Sequence, residues 1–491
     1  MFEAAGYGVS DDPAALAIKG RLLKDRALRA HGRDRARLYG EAAEAYALAA
    51  GDDGASYPLI NAATLSLLAG DPARAAELAG RVLARIEAHP DEPETPYYLA
   101  ATRAEAMLLL GRSGEAQAAL DEAIALAPRA WEDHASTLRQ FALILATQGA
   151  DPIWLDARRP RRSLHFGGHM SFRADAQPTP LTGEIAALIA DERIGFGYGA
   201  LAAGADILVA EALVAAGAEL HLVIPGGLDA FAALSVDPFR GAWRRRFDAM
   251  VAAAETIRAV EPLQMLPDIV GIGLADEIAM GEARINARRL ASEALQLLVL
   301  AEGEDAAPGH SQRIWAGGGG RQHILRAPRE PVDPPLPAPP SRQACLAALA
   351  VRAPDDALAA IADVLARGPA TVVPPSFTGE AVLLAFDRLS DAAACATALA
   401  AAVPGASVGG YYGIAQTVAD PFGHDAKLVG RALEIASAAA ASALPGSACV
   451  SDDFAAALAA AEPAKFNAEY IGELDSARAA APVGLFALRA L

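Results

Sequence analysis

The stretch RIGFGYGALAAGADILVAEAL, residues 193–213, decides the fold of the middle of the chain. Its first part is short, apolar and rich in glycine, which predicts a strand over residues 193–197. Its second part carries apolar residues at helical spacing, which predicts a helix over residues 206–216. A strand that passes through a glycine turn into a helix is the unit from which parallel sheets are built.

The same alternation continues on both sides of this stretch. Further strands are predicted at residues 164–168, 220–224, 295–300 and 322–325. Further helices are predicted at residues 185–190, 247–260 and 279–295. The alternation predicts an α/β domain with a doubly wound parallel sheet over residues 160–326. A sheet of this kind binds ligands at the carboxyl ends of its strands.

Glycines stand at three of these strand ends. The candidate ligand-binding residues there are Gly167, Gly168, His169, Gly197, Tyr198, Gly199, Gly226 and Gly227. Glycine lets a backbone approach a phosphate closely and exposes N–H groups at the start of a helix. None of the three turns is a GxGxxG or Walker A motif. We therefore expect a nucleotide-type ligand at these turns, bound outside the standard motifs.

Several side chains near the turns have two interpretations. Asp206 either faces the ligand or caps its helix, since Asp is a favoured N-cap. Glu211 either binds the ligand or lies on a solvated helix face, and Tyr198 either stacks on a base or packs in the core. His165 and His169 are four residues apart, but no third metal ligand accompanies them, so no metal site is predicted.

The string from residue 197 to residue 213 resembles the SLOG superfamily of Rossmann-like nucleotide-binding domains, which includes the DprA and LOG proteins. In that family a glycine-rich strand end leads into a "GaD" turn and a helix with an alanine and glutamate face. The strings GEAR at 281–284 and LQLL at 295–298 are also similar to the family. The resemblance implies that this domain senses a nucleotide-derived ligand. LOG enzymes cleave a ribosyl bond with a PGGxGTxxE motif, whereas this chain has PGHSQR at 308–313, which argues against that hydrolysis.

Residues 1–150 are predicted to form helices almost throughout. Turns rich in glycine and proline, at 51–54, 70–72, 90–93 and 111–112, separate stretches with helical periodicity. One apolar stripe consists of Leu59, Ala62, Ala63 and Leu67, and the next of Ala75, Leu78, Ala79 and Val82. Between this region and the sheet, Arg158, Arg159, Arg161 and Arg162 surround Pro160. These arginines mark a linker that is either solvated or able to grip a phosphate.

The helical region resembles the tetratricopeptide-like TRAFs-binding domain of stress-activated MAP kinase kinase kinases and its bacterial relatives. The strings that carry the resemblance are INAATL at 60–65, YYLAAT at 97–102 and ASTLRQ at 135–140. The resemblance implies a regulatory surface that binds a partner protein. A plain helical scaffold is the alternative.

Residues 327–341, APREPVDPPLPAPPS, hold seven prolines and predict a stiff linker. The α+β region after it, residues 342–491, resembles the class III adenylate/guanylate cyclase homology domain. The resemblance rests on the order of GEAVLLAF at 379–386, DPFG at 420–423, VGRALEI at 429–435, LPGSACVS at 444–451 and EYIGE at 469–473.

The residues that the family uses for cyclisation are replaced in this chain. Two aspartates bind the metal ions in the family, one after the opening strand and one in a Gly-Asp hairpin. Here the opening strand is followed by Arg352, with the nearest acids, Asp355 and Asp356, after a proline. The hairpin position is Glu380, which could ligate a metal but with a longer reach and a changed geometry. The family's V-N-x-A-A-R motif supplies an Asn and an Arg, and these positions are Gly430 and Glu434 here. The loss of one transition-state donor costs about 10²–10³ in rate. The resemblance therefore implies a cyclase domain without catalytic residues.

Composition narrows the class of protein further. Asp and Glu total 60 against 42 Lys and Arg, a net charge of −18, which predicts no binding to nucleic acid or to anionic lipid. We find no apolar run long enough to span a membrane and no signal peptide in the first residues. Cys345, Cys395 and Cys449 are widely spaced, which predicts free thiols in a reducing cytoplasm.

Together these patterns predict a cytoplasmic multidomain regulatory protein. Its SLOG-like domain senses a nucleotide-derived ligand, its helical repeat binds a partner protein, and its cyclase-like domain is inactive. An enzyme acting on a nucleotide or its ribosyl bond, or a residual nucleotide cyclase, is the alternative. We also expect a homodimer through residues 342–491, with alanine-rich surfaces at 436–443 and 455–461 and with the proline-rich linker leaving that domain free to pair. A monomer whose alanines are internal is the alternative.

Overall fold

The structure is a computed structural model that describes residues 11–51, 54–170, 179–239, 241–260, 268–303, 309–329, 343–378, 380–419, 426–474 and 482–491. It divides into two compact units, Met1–Pro160 with Arg289–Ala291, and Arg161–Arg288 with Ser292–Leu491. Several predicted features lie outside the described residues: Asp52 and Asp53 of one turn, Pro308, most of the linker at 327–341, Gly379 and the DPFG string at 420–423.

The first unit is helical in its described part, as the sequence predicts. Its helices are α1 (Pro13–Arg29), α2 (Gly32–Ala50), α3 (Ser56–Ala69), α4 (Pro72–Ala88), α5 (Pro96–Leu109), α6 (Ser113–Leu126) and α7 (Trp131–Gln148). The Gly70-Asp71-Pro72 turn shows how sequence ends one helix and begins the next. Gly70 closes α3 in a left-handed conformation, Asp71 accepts the Arg74 N–H as the N-cap of α4, and Pro72 occupies the first turn.

Both predicted apolar stripes lie in the core of this unit. Leu59, Ala62, Ala63 and Leu67 are buried on α3, and Ala75, Leu78, Ala79 and Val82 are buried on α4. The arginine-rich segment that follows begins with a 3-10 helix, Ile153–Arg158. There Arg158 forms a bidentate ion pair with Asp121 at 2.7 Å, so at least this arginine is neither solvated nor available to a phosphate.

The second unit contains a six-stranded sheet, and all of its strand pairs are parallel. The strands are β1 (Arg162–Gly168), β2 (Ile194–Gly199), β3 (Glu219–Pro225), β4 (Thr256–Val260), β5 (Ala294–Ala301) and β6 (Arg321–Ala327). The helices are α8 (Thr179–Asp191), α9 (Ala205–Ala215), α10 (Leu228–Ser235), α11 (Trp243–Ala253), α12 (Ile269–Arg289) and α13 (His310–Gly317). The strand order is β4-β3-β2-β1-β5-β6, so the direction of winding reverses between β1 and β5.

The prediction of a single helix over residues 247–260 is wrong. The helix α11 ends at Ala253, and the chain continues into β4 at the edge of the sheet. Most of β4 is exposed, so its sequence lacks the apolar pattern that marks a buried strand. The helix predicted at 279–295 is also displaced, because α12 begins at Ile269 and ends at Arg289.

The same unit contains an eight-stranded sheet that is mostly antiparallel. Its strands are β7 (Gln343–Arg352), β8 (Ser376–Thr378), β9 (Ala381–Phe386), β10 (Ser407–Ala419), β11 (Ala426–Val429), β12 (Ser447–Ser451), β13 (Phe466–Leu474) and β14 (Val483–Ala490). Its helices are α14 (Leu358–Arg367), α15 (Leu389–Ala402), α16 (Arg431–Ser442) and α17 (Asp452–Ala461). The order is β13-β14-β12-β10-β7-β9-β8, with β11 paired to β10.

Of the alanine-rich surfaces expected at 436–443 and 455–461, the second is almost entirely internal and the first is exposed only in part. On α16, Ala436, Ala439, Ala440 and Ala443 are buried, and residues 455–460 of α17 are buried throughout. The helix α16 packs against β10, where Gly409 leaves no room for a side chain beside the backbone of Ala436. Residues 455–460 are therefore internal and residues 436–443 are internal only in part, while the homodimer stays a prediction.

The two sheets of the second unit are joined by α12, α13 and α17. The backbone of Ala456 fills the space beside Gly281, and Met280, Trp315 and Ala460 form a small apolar cluster. Arg258 of β4 forms ion pairs with Glu282 and with Asp453 of α17. This packing contradicts the expectation that residues 342–491 are free to move on the proline-rich linker. None of the helices in the described ranges is long and apolar enough to cross a membrane.

Candidate functional site

The carboxyl ends of β1 and β5 define the candidate site. They lie at the point where the winding of the parallel sheet reverses, which is where open α/β sheets bind ligands. Gly168 ends β1 beside Val299 of β5. The start of α9 also reaches this point, since the backbone of Ala205 donates to the His169 carbonyl at 3.3 Å.

Two of the glycines predicted to cradle a ligand are required by packing. A Cβ atom on Gly168 would lie 2.5 Å from the Cβ of Ala205 and 2.6 Å from the Val299 carbonyl oxygen. A Cβ atom on Gly199 would lie 2.6 Å from the Phe166 carbonyl oxygen. These glycines let β1, β2, β5 and α9 approach each other. A bulky residue at Gly168 is therefore expected to disturb the fold as well as any ligand binding.

The other predicted turn residues have local structural roles. Gly197 lies within β2, where α9 packs closely through Leu213. Gly226 adopts a left-handed φ of 71° after β3, and Gly227 is the N-cap of α10. Gly167 is less crowded, because a Cβ there would meet only the Leu298 side chain at 3.8 Å.

Tyr198 and Glu211 do not face the carboxyl edge as ligand-binding groups. Tyr198 is buried and stacks on His221 of β3, with 4.6 Å between the ring centroids. Glu211 on α9 forms a bidentate ion pair with Arg246 of α11, at 2.7 and 2.5 Å. The packing interpretation of Tyr198 is the one that the structure shows, and Glu211 joins two helices rather than lying on a solvated face.

Asp206 is a buried acid at the start of α9. Gly204 is the N-cap of this helix, so the prediction that Asp206 caps it is wrong. Its Oδ2 accepts the Ala202 N–H at 3.1 Å, whereas Oδ1 has no hydrogen bond of normal geometry. Burial raises the pKa of Asp206 to about 7, and the negative charge of Asp276 contributes to the rise. Near neutral pH this carboxyl is therefore partly protonated and can donate or accept a hydrogen bond.

A polar network leads inward from Asp276 of α12. The His165 Nε2 lies 2.9 Å from Asp276 Oδ1, and the His165 Nδ1 lies 3.0 Å from the Gln296 amide nitrogen. Because the Gln296 oxygen accepts from Gln322 at 2.7 Å, its nitrogen is the donor to His165. His165 therefore carries its proton on Nε2 and donates it to Asp276. His165 is fully buried, so it positions Asp276 rather than meeting a ligand.

His169 and the PGHSQR string complete the predicted positions. The His169 Nδ1 lies 3.0 Å from the Met170 carbonyl oxygen, just beyond β1. The described part of the string begins at Gly309, which is the N-cap of α13. Among the described residues no group of three or more His, Cys, Asp or Glu side chains could hold a metal ion.

Sequence analysis missed Asp276 and Glu277, which are adjacent on α12. Glu277 accepts from His310 Nε2 at 2.6 Å and from Tyr412 Oη at 2.9 Å. The hydrogen bond to Glu277 raises the pKa of His310. Neither acid belongs to a motif, and both stand inside an ordinary helical pattern. A pair of adjacent acids within an apolar helix was the only signal that could have found them.

In the eight-stranded sheet, Arg352 and Glu380, which the sequence resemblance relates to metal-binding positions, lie together. Arg352 at the end of β7 and Glu380 before β9 form an ion pair at 2.6 Å. Gly430 is the N-cap of α16 with a φ of 121°, and Glu434 lies in the first turn of that helix. Both side chains of the Arg352–Glu380 ion pair are exposed, and their charges balance each other.

No protein-family model matches the chain, and no curated protein matches it. Solved structures do resemble part of it. The adenylyl cyclase CyaB from P. aeruginosa is 12% identical, with 30% of this chain and 95% of that chain covered and a TM-score of 0.25. An adenylate cyclase from Trypanosoma brucei in its monomeric state is 13% identical, with 31% and 90% covered and a TM-score of 0.27. The dimeric guanylyl cyclase domain of the RhoGC fusion protein from the fungus Blastocladiella emersonii is 11% identical, with 30% and 99% covered and a TM-score of 0.25. In each case the similarity covers less than a third of this chain.

Proposed function

We propose that this chain is a cytoplasmic regulatory protein whose cyclase-like region has no catalytic activity. The ion pair between Arg352 and Glu380 is the observation that carries this proposal. Cyclisation by this class of domain requires divalent metal ions that hold the triphosphate and polarise the attacking hydroxyl. A guanidinium at one of the two proposed metal positions repels a divalent cation, and its ion pair with Glu380 competes with metal binding by that carboxylate.

The replaced V-N-x-A-A-R positions support the same proposal. Gly430 offers no side-chain donor to a ribose, and Glu434 places a negative charge where the family places a cation. A carboxylate at that position opposes the negative charge that develops on phosphate during cyclisation. The residues at the proposed metal positions and at the proposed transition-state position therefore all support a domain that has a function other than catalysis.

The parallel sheet is the part that senses a ligand in this proposal. The candidate surface is the carboxyl edge between β1 and β5, where Asp206 and Asp276 lie close enough for their charges to interact. Acids at such an edge accept hydrogen bonds from ribose hydroxyls in Rossmann-like domains. The ligand is therefore proposed to be nucleotide-derived and to present hydroxyl or amino donors to these two carboxyl groups.

The helix α12 links this surface to the cyclase-like region. Asp276 accepts from His165 of β1, while its neighbour Glu277 accepts from Tyr412 of β10. A ligand that moves Asp276 thus acts one residue away from a contact between the two sheets. The helical first unit is proposed to bind the partner protein that receives the signal.

Thermal denaturation of the full chain with a panel of nucleotides tests the sensing part. A bound nucleotide raises the melting temperature, because it binds the folded state only. The Asp276→Asn variant is expected to lose this shift, and the exposed Asp237→Asn variant is expected to keep it. The absence of a shift with every nucleotide, or an equal shift in Asp276→Asn, contradicts sensing at this edge.

A further inference from the structure

A cavity lies at the amino ends of the strands of the parallel sheet, opposite the candidate site at their carboxyl ends. Its volume is about 670 Å³, and it opens at the amino ends of β1, β5 and β6, where these strands begin with Arg162, Ala294 and Arg321. Its lining includes four arginines, Arg162, Arg284, Arg288 and Arg321. The carboxyl-edge site described above shares none of these residues, so this cavity is a separate feature.

Two of the four arginines, Arg162 and Arg321, are neutralised by glutamates. Arg162 pairs with Glu192 at 2.8 Å and with Glu293 at 3.1 Å. Arg321 pairs with Glu192 at 2.6 Å. These two arginines and two glutamates cancel each other's charge, so they do not create a net attraction for an anion.

Arg284 and Arg288 differ from the other two arginines, because their hydrogen-bond acceptors are neutral oxygens. The two side chains stand one turn apart on α12. Arg284 donates to the carbonyl oxygens of Trp315 and Gly318, each at 3.0 Å, and its guanidinium lies 4.3 Å from the Trp315 ring centroid. Arg288 donates to the Asn467 side-chain oxygen at 2.6 Å and to the Pro463 carbonyl at 3.1 Å. Within the described residues neither has a carboxylate partner.

The glycine run GGGG at 317–320 fits this arrangement. A Cβ on Gly318 would lie 2.8 Å from one terminal nitrogen of Arg284, and a Cβ on Gly320 would lie 2.6 Å from the other. Both glycines therefore leave the space that the guanidinium needs. The backbone N–H groups of residues 318–320 bond to carbonyls of α13, so the charged contacts of the cavity come from the arginines.

Arg284 is half-buried and Arg288 is exposed, and among the described residues no carboxylate balances either charge. Burial lowers the pKa of both side chains, and the charge of Arg288 contributes to lowering that of Arg284 to about 10. An anion placed between them would replace mutual repulsion by two attractions. The guanidinium fork matches the oxygens of a phosphate group in a bidentate way, and a phosphate carries enough charge to engage two arginines.

We propose that this cavity binds the phosphate or diphosphate group of a small ligand through Arg284 and Arg288. The volume admits a diphosphate with an organic substituent as well as the free ion. The lining residue Pro463 and the Arg288 partner Asn467 come from the region of the eight-stranded sheet, so the bound phosphate would contact groups held by both sheets of the unit.

Calorimetric titration of the full chain with inorganic pyrophosphate and with ADP tests the site. Pyrophosphate binding shows that phosphate oxygens suffice, and binding of ADP alone shows that the organic part is needed. In either case Arg288→Gln is expected to weaken binding about tenfold or more, since it removes a charge-assisted contact. Arg284→Gln provides a second variant at the half-buried position. The control is Arg244→Gln. Arg244 is an exposed arginine of α11 that pairs with Asp237 and Asp248 and does not line the cavity.

Three results would overturn the proposal. They are no binding of either probe up to roughly millimolar concentration, binding that both Arg288→Gln and Arg284→Gln leave unchanged, and an equal loss in Arg244→Gln. The Asp276→Asn variant separates this site from the carboxyl edge. It is expected to bind pyrophosphate as the parent does, whatever its effect on nucleotide sensing.

Discussion

The Tyr412 hydroxyl donates to Glu277 at 2.9 Å and thereby joins the eight-stranded sheet to α12 of the parallel sheet. Its neighbour Tyr411 packs with the core under α16, and successive strand residues point to opposite faces. The face of β10 that carries Tyr412 is therefore turned toward the parallel sheet. Burial and the negative charge of Glu277 raise the pKa of Tyr412, so its proton stays in place over the physiological range.

The Tyr412→Phe variant is expected to lower the free energy of unfolding by about 1–2 kcal/mol, because it leaves Glu277 without one of its two donors. The control is Tyr470→Phe, since Tyr470 is exposed and only weakly bonded to Glu473 at 3.4 Å. That control should change stability by less than about 0.5 kcal/mol. Denaturant unfolding of the three proteins measures both values, and an equal effect of the two substitutions would rule out a role for the buried contact.

Two neighbouring glycines of β1 should respond differently to alanine. Gly168→Ala is expected to destabilise the fold by about 1–3 kcal/mol, because the added methyl group meets the Val299 carbonyl and Ala205. Gly167→Ala adds a methyl group at ordinary contact distance, so it should be neutral or stabilise by up to about 1 kcal/mol. Unfolding free energies of the two variants test the pair. Equal stability would show that β1 and β5 are not packed as closely as the structure has them.

Asp206 should make stability depend on pH. Its pKa is raised from the ordinary value of 3.8 to about 7 in the folded protein, so between these values the folded state binds more protons than the unfolded state. Stability from this group therefore falls as pH rises from about 4 to about 7, and the loss is complete above pH 7. The Asp206→Asn variant removes this contribution. We expect it to be more stable than the parent at pH 8, by roughly 2–4 kcal/mol, and to lose that advantage near pH 4. A stability difference that does not change with pH would contradict the raised pKa.

The sequence predicted most of the parallel sheet but not its edge. The buried strand β5 carries an almost continuous apolar run, and β1 places Leu164 and Phe166 just before two glycines, so both strands are visible without a structure. The strand β4 has only one buried residue, Val260, so its pattern merged with the preceding helix. In the first unit, the Gly70-Asp71-Pro72 turn was recognisable because cap residues act locally.

The candidate site was harder to predict than the fold. Gly168 and Gly199 look like phosphate-binding glycines in sequence, but the structure shows that packing requires them. Asp276 is brought to Asp206 by the crossover of α12, and sequence spacing gives no sign of that approach. Arg284 and Arg288 likewise stand in an ordinary helix, and only the fold places them in a cavity with neutral partners.

The residues of the cyclase-like region were predictable from the sequence only in part. The sequence resemblance related Arg352 and Glu380 to metal positions through the order of elements, since each residue lies at or next to a strand end. That the two side chains pair at 2.6 Å was not predictable, because β7 and the segment before β9 are 28 residues apart in sequence.

The most direct test of the central claim is a search for cyclic product. The full chain is incubated with ATP or GTP in the presence of Mn²⁺ or Mg²⁺, and the reaction is analysed by mass spectrometry for cyclic AMP and cyclic GMP. We predict no cyclic product with either nucleotide, because Arg352 and Glu380 neutralise each other where metal ions would be needed. A cyclic product that forms with the parent protein and disappears with Glu380→Ala would contradict the account.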